Sequence, residues 1–357
     1  MPAPSRKRIL IVAVNWLGDL LFMTPAIRAI RRAHRDSFIA CLVPPRGLDL
    51  LEGNPNLDEV IPLEEVRGLP NLFRWGRIIR RLREGRFDAA YLFHRSLTRA
   101  LWVRAAGIPH RVGYRTWKRG WLLTTAADAP APDSIHKAEW FLRMLEADGI
   151  RRDGMQYEIG IRQEDRDAAQ RLLRELGVGE GEPLVALHAG ANWRLKRWPA
   201  GNFARLADGL RDRFRARVLF VGGEGDQALV EEIRGRMRGP ALAVAGRTNF
   251  RELGALLAHA RLLVSNDSGP LHLGVAVRIP VIGLFGPTKP ELTGPPAGRG
   301  TAVLFGSIGC PVPCYRLHCP VNLCMAQITV EQVLEAATPI LSGELTSGRQ
   351  AAQGFVP

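Results

Sequence analysis

The sequence has no hydrophobic run near the roughly 18 residues that a membrane-spanning helix needs. The apolar start, Ile9 to Val14, is broken by Asn15 and Asp19. It is shorter than the roughly 7–15 residues of a secretory apolar core, so it predicts a first β-strand in a cytoplasmic protein. Cysteine is scarce, with five in 357 residues. Cys41 stands alone in an apolar strand and reads as a small buried hydrophobe. Cys310, Cys314, Cys319 and Cys324 form a C-x3-C-x4-C-x4-C run without the tight C-x2-C knuckles of most structural zinc sites. Ordinary thiols are the simpler reading there, and a metal site the alternative. No G-x-G-x-x-G follows the first strand, which argues against a nicotinamide or flavin cofactor.

Acids are nearly absent from Arg67 to Arg119: Glu84 and Asp88 face fourteen Arg or Lys, so this segment carries +12 of the chain's +14. Such a field favours nucleic acid, an acidic membrane surface, or a phosphorylated or acidic glycan. A solvated arginine-rich helical face explains it equally well. Within Asn71 to Arg86, Leu72, Trp75, Ile79 and Leu82 recur at helical spacing, while the arginines largely take other faces. The stripe reads as core, with a basic edge able to rest on anionic lipid.

What is present is a repeated strand–helix pattern, which predicts an α/β chain with parallel sheets covered by helices on both faces. Strands are expected at 8–14, 38–43, 60–61, 88–93 and 111–114, with helices at 20–33, 71–86, 96–106 and 135–148. Residues 117–131 read as loop and 157–161 as extended. A helix at 163–176 and a turn-rich GVGEGEP stretch lead to a second set. Its strands are expected at 184–188, 217–221, 242–244, 262–264 and 281–285. Its helices are expected at 200–214, 227–238, 250–259, 270–277 and 328–341. The expected organisation is a first domain over 1–165, a linker region over 166–182, a second domain over 183–342 and a disordered tail over 343–357. Two doubly wound halves of this kind bind ligands outside the carboxyl ends of their strands, here across a shared cleft.

Four turns at such strand ends carry chemistry. Asp19 follows the first strand and serves either as a base toward an attacking hydroxyl or as a helix N-cap. HAGANWRLKRWP at 188–199 joins small residues to the cations Lys196 and Arg197, with Trp193 and Trp198 available for packing. GGEGD at 222–226 offers Glu224 or Asp226 to ribose hydroxyls, or simply turns the chain. Asn266, Asp267, Ser268 and Gly269 form a turn before a helix opening at Pro270, with Asp267 or Ser268 as N-cap. Free N–H groups and the positive helix end at that point attract phosphate, and His272 lies within reach. This turn suits the diphosphate of a nucleotide-activated substrate.

NWLGDLLFMTPAIRAIRRA, VGYR at 112–115, HAGANWRLKRWP, GGEGD and SNDSGPLHLGVAVRIPVIGLFGPT together resemble the family 9 glycosyltransferases. These are the ADP-heptose:lipopolysaccharide heptosyltransferases. CPVPCYRLHCPVNLCM followed by ITVEQVLEA points to the heptosyltransferase II branch. The resemblance covers nearly the whole chain. It implies a GT-B fold of two Rossmann-like domains, the first for the acceptor and the second for the nucleotide. By motif match Asp19 takes the place of the catalytic base, and Lys196 that of the lysine on the donor phosphates. Asp267, Ser268, Gly269 and His272 take the place of the donor turn. Glu224 falls at the ribose position and Thr248 at another nucleotide contact. Asn192 lies in a loop of variable length and stays unassigned. Arg111 and Arg115, beside VGY in the first domain, are the candidates for an anionic acceptor.

The implied reaction is an inverting transfer of heptose from ADP-heptose to the lipopolysaccharide inner core, without metal or other cofactor. No loop carries a D-x-D-like site of the kind a metal-dependent transferase uses. The acceptor is an anionic, lipid-anchored core glycan, so the expected place is the cytoplasmic face of the inner membrane, as a peripheral protein. A family 9 transferase with another acceptor and a nucleotide-sugar 2-epimerase are the enzyme alternatives. A basic nucleic-acid-binding protein is the third, and no nucleic-acid module supports it.

Overall fold

The structure, a computed structural model, describes residues 6–63, 71–179, 181–298, 300–314, 316, 318–319 and 321–344, with backbone only at 71–74. The chain divides into two compact units, Met1–Gly160 and Ile161–Pro357.

The first unit holds a six-stranded parallel sheet. Its strands are β1 (Arg8–Val12), β2 (Phe38–Val43), β3 (Glu59–Pro62), β4 (Ala89–Leu92), β5 (His110–Tyr114) and β6 (Thr125–Ala127). They lie in the order β3-β2-β1-β4-β5-β6, with Leu10 opposite Ala40 on one side and Ala90 on the other. Leu10, Val12, Ala40, Leu42, Ala90 and Leu92 share one core with Leu82, Trp102 and Val103 from helices Asn71–Glu84 and Leu97–Ala105. The alternate residues Ile9, Ile11, Ile39 and Cys41 are equally buried. A strand covered on both faces reads as a continuous apolar run, which is why RILIV and FIACLV stand out in the sequence. Helices Leu17–Ala33 and Lys137–Glu146 pack together.

The second unit repeats this plan. Its strands are β7 (Leu184–His188), β8 (Arg217–Phe220), β9 (Leu242–Ala243), β10 (Leu262–Asn266), β11 (Val281–Phe285) and β12 (Thr301–Phe305). They lie in the order β12-β11-β10-β7-β8-β9. Val185, Leu187, Phe220, Val264 and Leu284 pack with Phe203, Leu206 and Leu210 of helix Ala200–Phe214 and Val333 and Ala337 of helix Val330–Leu341. The last helix is fixed at its start by a capping box between Thr329 and Gln332.

Several sequence expectations need correction. The first helix begins at Leu17 rather than Leu20, so Asp19 sits in its first turn. Residues 117–131 are not all loop: they contain a 3-10 turn at Gly120–Leu122 and the edge strand β6. That three-residue strand exists because Val112 to Tyr114 pair with it. Residues 157–161, expected as extended, join no sheet, and Glu158 N donates to Thr24 Oγ1 at 2.9 Å. The edge strand β12 stood outside every expected element. Asn266 ends β10 rather than opening the turn, and the following helix is Gly269–Ala276 with Ser268 at the N-cap position. Most of helix Gln163–Glu175 lies in the segment expected as linker. It packs against helix Phe250–Leu257, with Arg251 Nε 3.1 Å from Asp165. In the basic helix Trp75 and Ile79 pack on the core, while Leu72 falls outside the described side chains. The tail beyond Glu344 is also outside the described residues. No helix among the described residues is long and apolar enough to cross a membrane.

Candidate active site

In a doubly wound sheet the crevice for a ligand opens where neighbouring strands send their connections to opposite sides, outside their carboxyl ends. In the second unit that point lies between β7 and β10. The loops leaving β7, β8 and β10 converge there. Asn266, fully buried at the end of β10, ties them: its Nδ2 donates to Ala189 O (2.8 Å) and Gly190 O (3.3 Å), and its Oδ1 accepts from Trp198 N (3.0 Å). Trp198 is a packing residue, its Nε1 donating to Ile328 O at 2.9 Å.

The next residue, Asp267, is 4 % exposed. Lys196 Nζ, carried on the 3-10 turn Arg194–Lys196, stands 2.6 Å from its Oδ2, and His272 Nε2 3.7 Å from its Oδ1. Burial alone would raise the Asp267 pKa. The approach of His272 and the charge of Lys196 outweigh this and hold the carboxyl well below the ordinary carboxylate range. Arg197 turns away, donating to Ala191 O at 3.2 and 3.0 Å.

Ser268 occupies the N-cap position without capping through its side chain. Its hydroxyl meets His188 Nδ1 at 3.0 Å and Ser265 Oγ at 3.1 Å. His188, 3 % exposed, places Nε2 3.5 Å from Asp226 Oδ2. Burial would raise the Asp226 pKa, but His188, the Gly223 N–H and the charge of Arg197 lower it overall. A chain Asp226–His188–Ser268, with His188 buried at its centre, therefore links the loops after β8, β7 and β10. Sequence inspection missed it, because its members lie in three separate motifs.

Glu224 is exposed on the 3-10 turn Glu224–Asp226, and Asn192 is exposed as well. Thr248 Oγ1 is buried with no hydrogen-bond partner among the described residues, and so is Thr288 Oγ1 just beyond β11. Gly269 opens its helix. Lys196, Asp267, Ser268, Gly269 and His272 are thus gathered beyond the carboxyl ends of the central strands β7 and β10.

In the first unit the corresponding point lies between β1 and β4, and Asp19 stands just beyond β1. It is not the N-cap, a place taken by Trp16. Its Oδ1 is 3.2 Å from Lys137 Nζ. Trp16 is 56 % exposed, with the Arg46 guanidinium over its ring at 5.2 Å. Arg99 braces the same loop, donating to Ala13 O and Asn15 Oδ1. His94, just beyond β4, is held down at about 4 by burial and by the charges of Arg99 and Arg119.

The two arginines expected at the acceptor separate. Arg115, just past the carboxyl end of β5, pairs with Asp128 at 3.2 Å on the exposed surface. Arg111 lies near the other end of β5 and spends its guanidinium on the carbonyls of Leu122, Ile108 and Pro109. Among the described residues no three His, Cys, Asp or Glu side chains stand where they could hold a metal ion. The thiols near the chain end are free, and Cys314 N donates to Pro287 O at 2.7 Å.

Residues 75–322 match the model of glycosyltransferase family 9 (heptosyltransferase). The chain is 30% identical over 308 residues to lipopolysaccharide heptosyltransferase 2 of Escherichia coli K12, covering 81% of this chain and 85% of that one. A solved structure of a family 9 glycosyl transferase from Veillonella parvula superposes with a TM-score of 0.84 at 25% identity, over 94% of this chain and 97% of that one. The structure of E. coli ADP-heptose lps heptosyltransferase II gives a TM-score of 0.79 at 23% identity, over 94% and 99%. Each likeness runs through both units.

Proposed function

Since the chain belongs to glycosyltransferase family 9, with the GT-B fold of two Rossmann-like units, we propose that it moves heptose from ADP-heptose to the lipopolysaccharide inner core, inverting the anomeric carbon. The observation that carries the site reading is position. Asp19 in the first unit and the Lys196–Asp267 pair in the second each stand at the strand-end point where doubly wound sheets take ligands.

Asp19 takes the proton from an acceptor hydroxyl as that oxygen attacks the anomeric carbon. The new C–O bond forms while the bond to the diphosphate breaks, and ADP leaves. Lys196 and the N–H groups opening helix Gly269–Ala276 receive the charge that develops on the diphosphate, so the reading needs no metal or other cofactor. Asp267 does not touch the donor in this scheme. A buried carboxylate would repel phosphate, so it holds Lys196 in place instead. Ser268, held by His188, shapes the donor turn together with Gly269 and His272. Glu224 serves the ribose, and the buried hydroxyl of Thr248 takes a nucleotide contact. Arg115 meets acidic groups of the acceptor, and Arg111 supports the fold. The acceptor is lipid-anchored, so the protein works as a peripheral enzyme at the cytoplasmic face of the inner membrane.

The test is purified protein with ADP-heptose and truncated core acceptors, with products read by mass. Asp19→Asn is expected to keep donor affinity and lose transfer by about 10²–10⁴-fold, the range of a general base. Transfer at the wild-type rate would remove Asp19 from this role.

A further inference from the structure

Among the described residues, the two most exposed large apolar side chains are Trp117, 89 % exposed, and Trp121, 72 % exposed. Both lie in the loop between β5 and β6, and the loop is built to keep them outside. Arg119, between them, is fully buried, and donates to His94 O at 2.6 Å and to Tyr114 O at 3.2 and 2.9 Å. Leu122 is buried at the loop's far end. Arg119 N and Gly120 N both donate to Thr116 O, and Leu122 N donates to Arg119 O. Turning the indoles inward would forfeit the bonds of a buried guanidinium, which are costly to leave unmade.

The outward surface has a definite chemistry. Lys118 Nζ stands 4.7 Å from the centre of the Trp117 ring. Trp121 Nε1 donates to Lys118 O at 3.1 Å, so its single polar atom is satisfied within the loop and the ring faces out as an apolar plate. Arg115 is paired with the exposed Asp128 and adds no net charge, so Lys118 is the exposed cation of this loop. The basic helix of the same unit carries Arg80 and Arg81 paired with Glu84 and Glu59 and a further exposed Arg83.

We infer that loop 116–122 docks this protein on an anionic lipid surface. The two indoles enter the headgroup layer and Lys118 meets lipid phosphates. Indoles favour that layer, and cations gain there from the negative surface potential. A sugar-binding platform would set its ring beside groups that bond hydroxyls. Here the group over the Trp117 ring is the Lys118 ammonium, and the Trp121 N–H is already used on Lys118 O.

This docking rests on the transferase reading only for what the membrane carries, and its main readout, vesicle flotation, needs no transfer. The full chain is floated with vesicles of phosphatidylethanolamine and phosphatidylglycerol, and with phosphatidylcholine vesicles. Binding is expected on the anionic vesicles and far less on the neutral ones. Trp117→Ser with Trp121→Ser should lower the bound fraction about tenfold, with unchanged thermal midpoint and unchanged transfer to a lipid-free core fragment. Lys118→Gln should weaken binding to anionic vesicles only. If the double variant does not fold, each single serine variant repeats the test. The inference falls if the wild type stays unbound or the variants bind as it does. It also falls if transfer to the lipid-free fragment collapses while flotation is unchanged, because the indoles would then belong to the glycan. Tryptophan-dependent flotation without transfer to any acceptor would uphold the docking and remove the transferase reading.

Discussion

A carboxylate 4 % exposed must have its charge met inside the protein, and Asp267 meets it with Lys196 at 2.6 Å and His272 at 3.7 Å. The two ends of the main pair are unequal. Lys196 keeps 23 % of its side chain in solvent, while Asp267 keeps almost none. Removing the lysine therefore leaves a buried anion, whereas removing the anion leaves a lysine that can turn to water. Lys196→Ala is expected to lower stability by about 2–4 kcal/mol and Asp267→Asn by about half of that, read from urea midpoints. The expected functional order differs, because of this pair the proposed mechanism puts only Lys196 on the donor. Lys196→Ala should abolish measurable ADP binding, and Asp267→Asn should weaken it several-fold. Equal stability losses would mean that water already shares the carboxylate's charge.

At the scale of the elements, Asp226 is a wedge between two loops. A Cβ on Gly190 would lie 2.1 Å from its Oδ1, and one on Gly222 2.7 Å from its Oδ2. Gly190→Ala should push the carboxylate off His188 and slacken Ser268. The expected result is about tenfold weaker ADP binding by calorimetry, the worth of one lost charge-assisted hydrogen bond. Gly225→Ala is the control, since nothing stands within 4 Å of a Cβ there, and it should bind ADP as the wild type does. The sequence showed the glycines in HAG and GGEGD but not their common neighbour, because proximity between loops is set by strand order. For the same reason β1 and β2 were legible as apolar runs, while β6 and β12 were not. Those edge strands are held by pairing with β5 and β11 more than by their own residues. The strand-end positions of Asp19 and Lys196 were legible because each lies in the connection that leaves a readable strand. Arg111 misled because its guanidinium is aimed at carbonyls, which one sequence does not show.

For the whole molecule, two units with separate sheets and cores are expected to respond to acid differently. In the first unit burial, reinforced by the charges of Arg99 and Arg119, holds His94 at about 4, and burial with the charge of Lys7 lowers His34. An unfolded histidine takes its proton near pH 6.5. Between 6.5 and about 4 the unfolded first unit thus binds protons that the folded unit refuses, and its stability falls as pH falls. The shifted carboxyls of the second unit, Asp226 and Asp267, are depressed instead. Their contribution is complete above the ordinary carboxylate pKa and is lost only as pH drops through their lowered values. Acidification from pH 7 to 4.5 should therefore soften the first unit before the second. With partial exposure discounted, His94 accounts for about 1–2 kcal/mol, or a midpoint shift of roughly 2–6 °C for a unit of this size. Calorimetric scans across that range should resolve one heat-absorption peak into two, the lower assigned to residues 1–160 by limited proteolysis. His94→Gln cannot take up the proton, so it should flatten the pH dependence of the lower peak while leaving the upper one in place. A lower peak that moves with pH as steeply in His94→Gln as in the wild type would show that another group of the first unit carries the acid response.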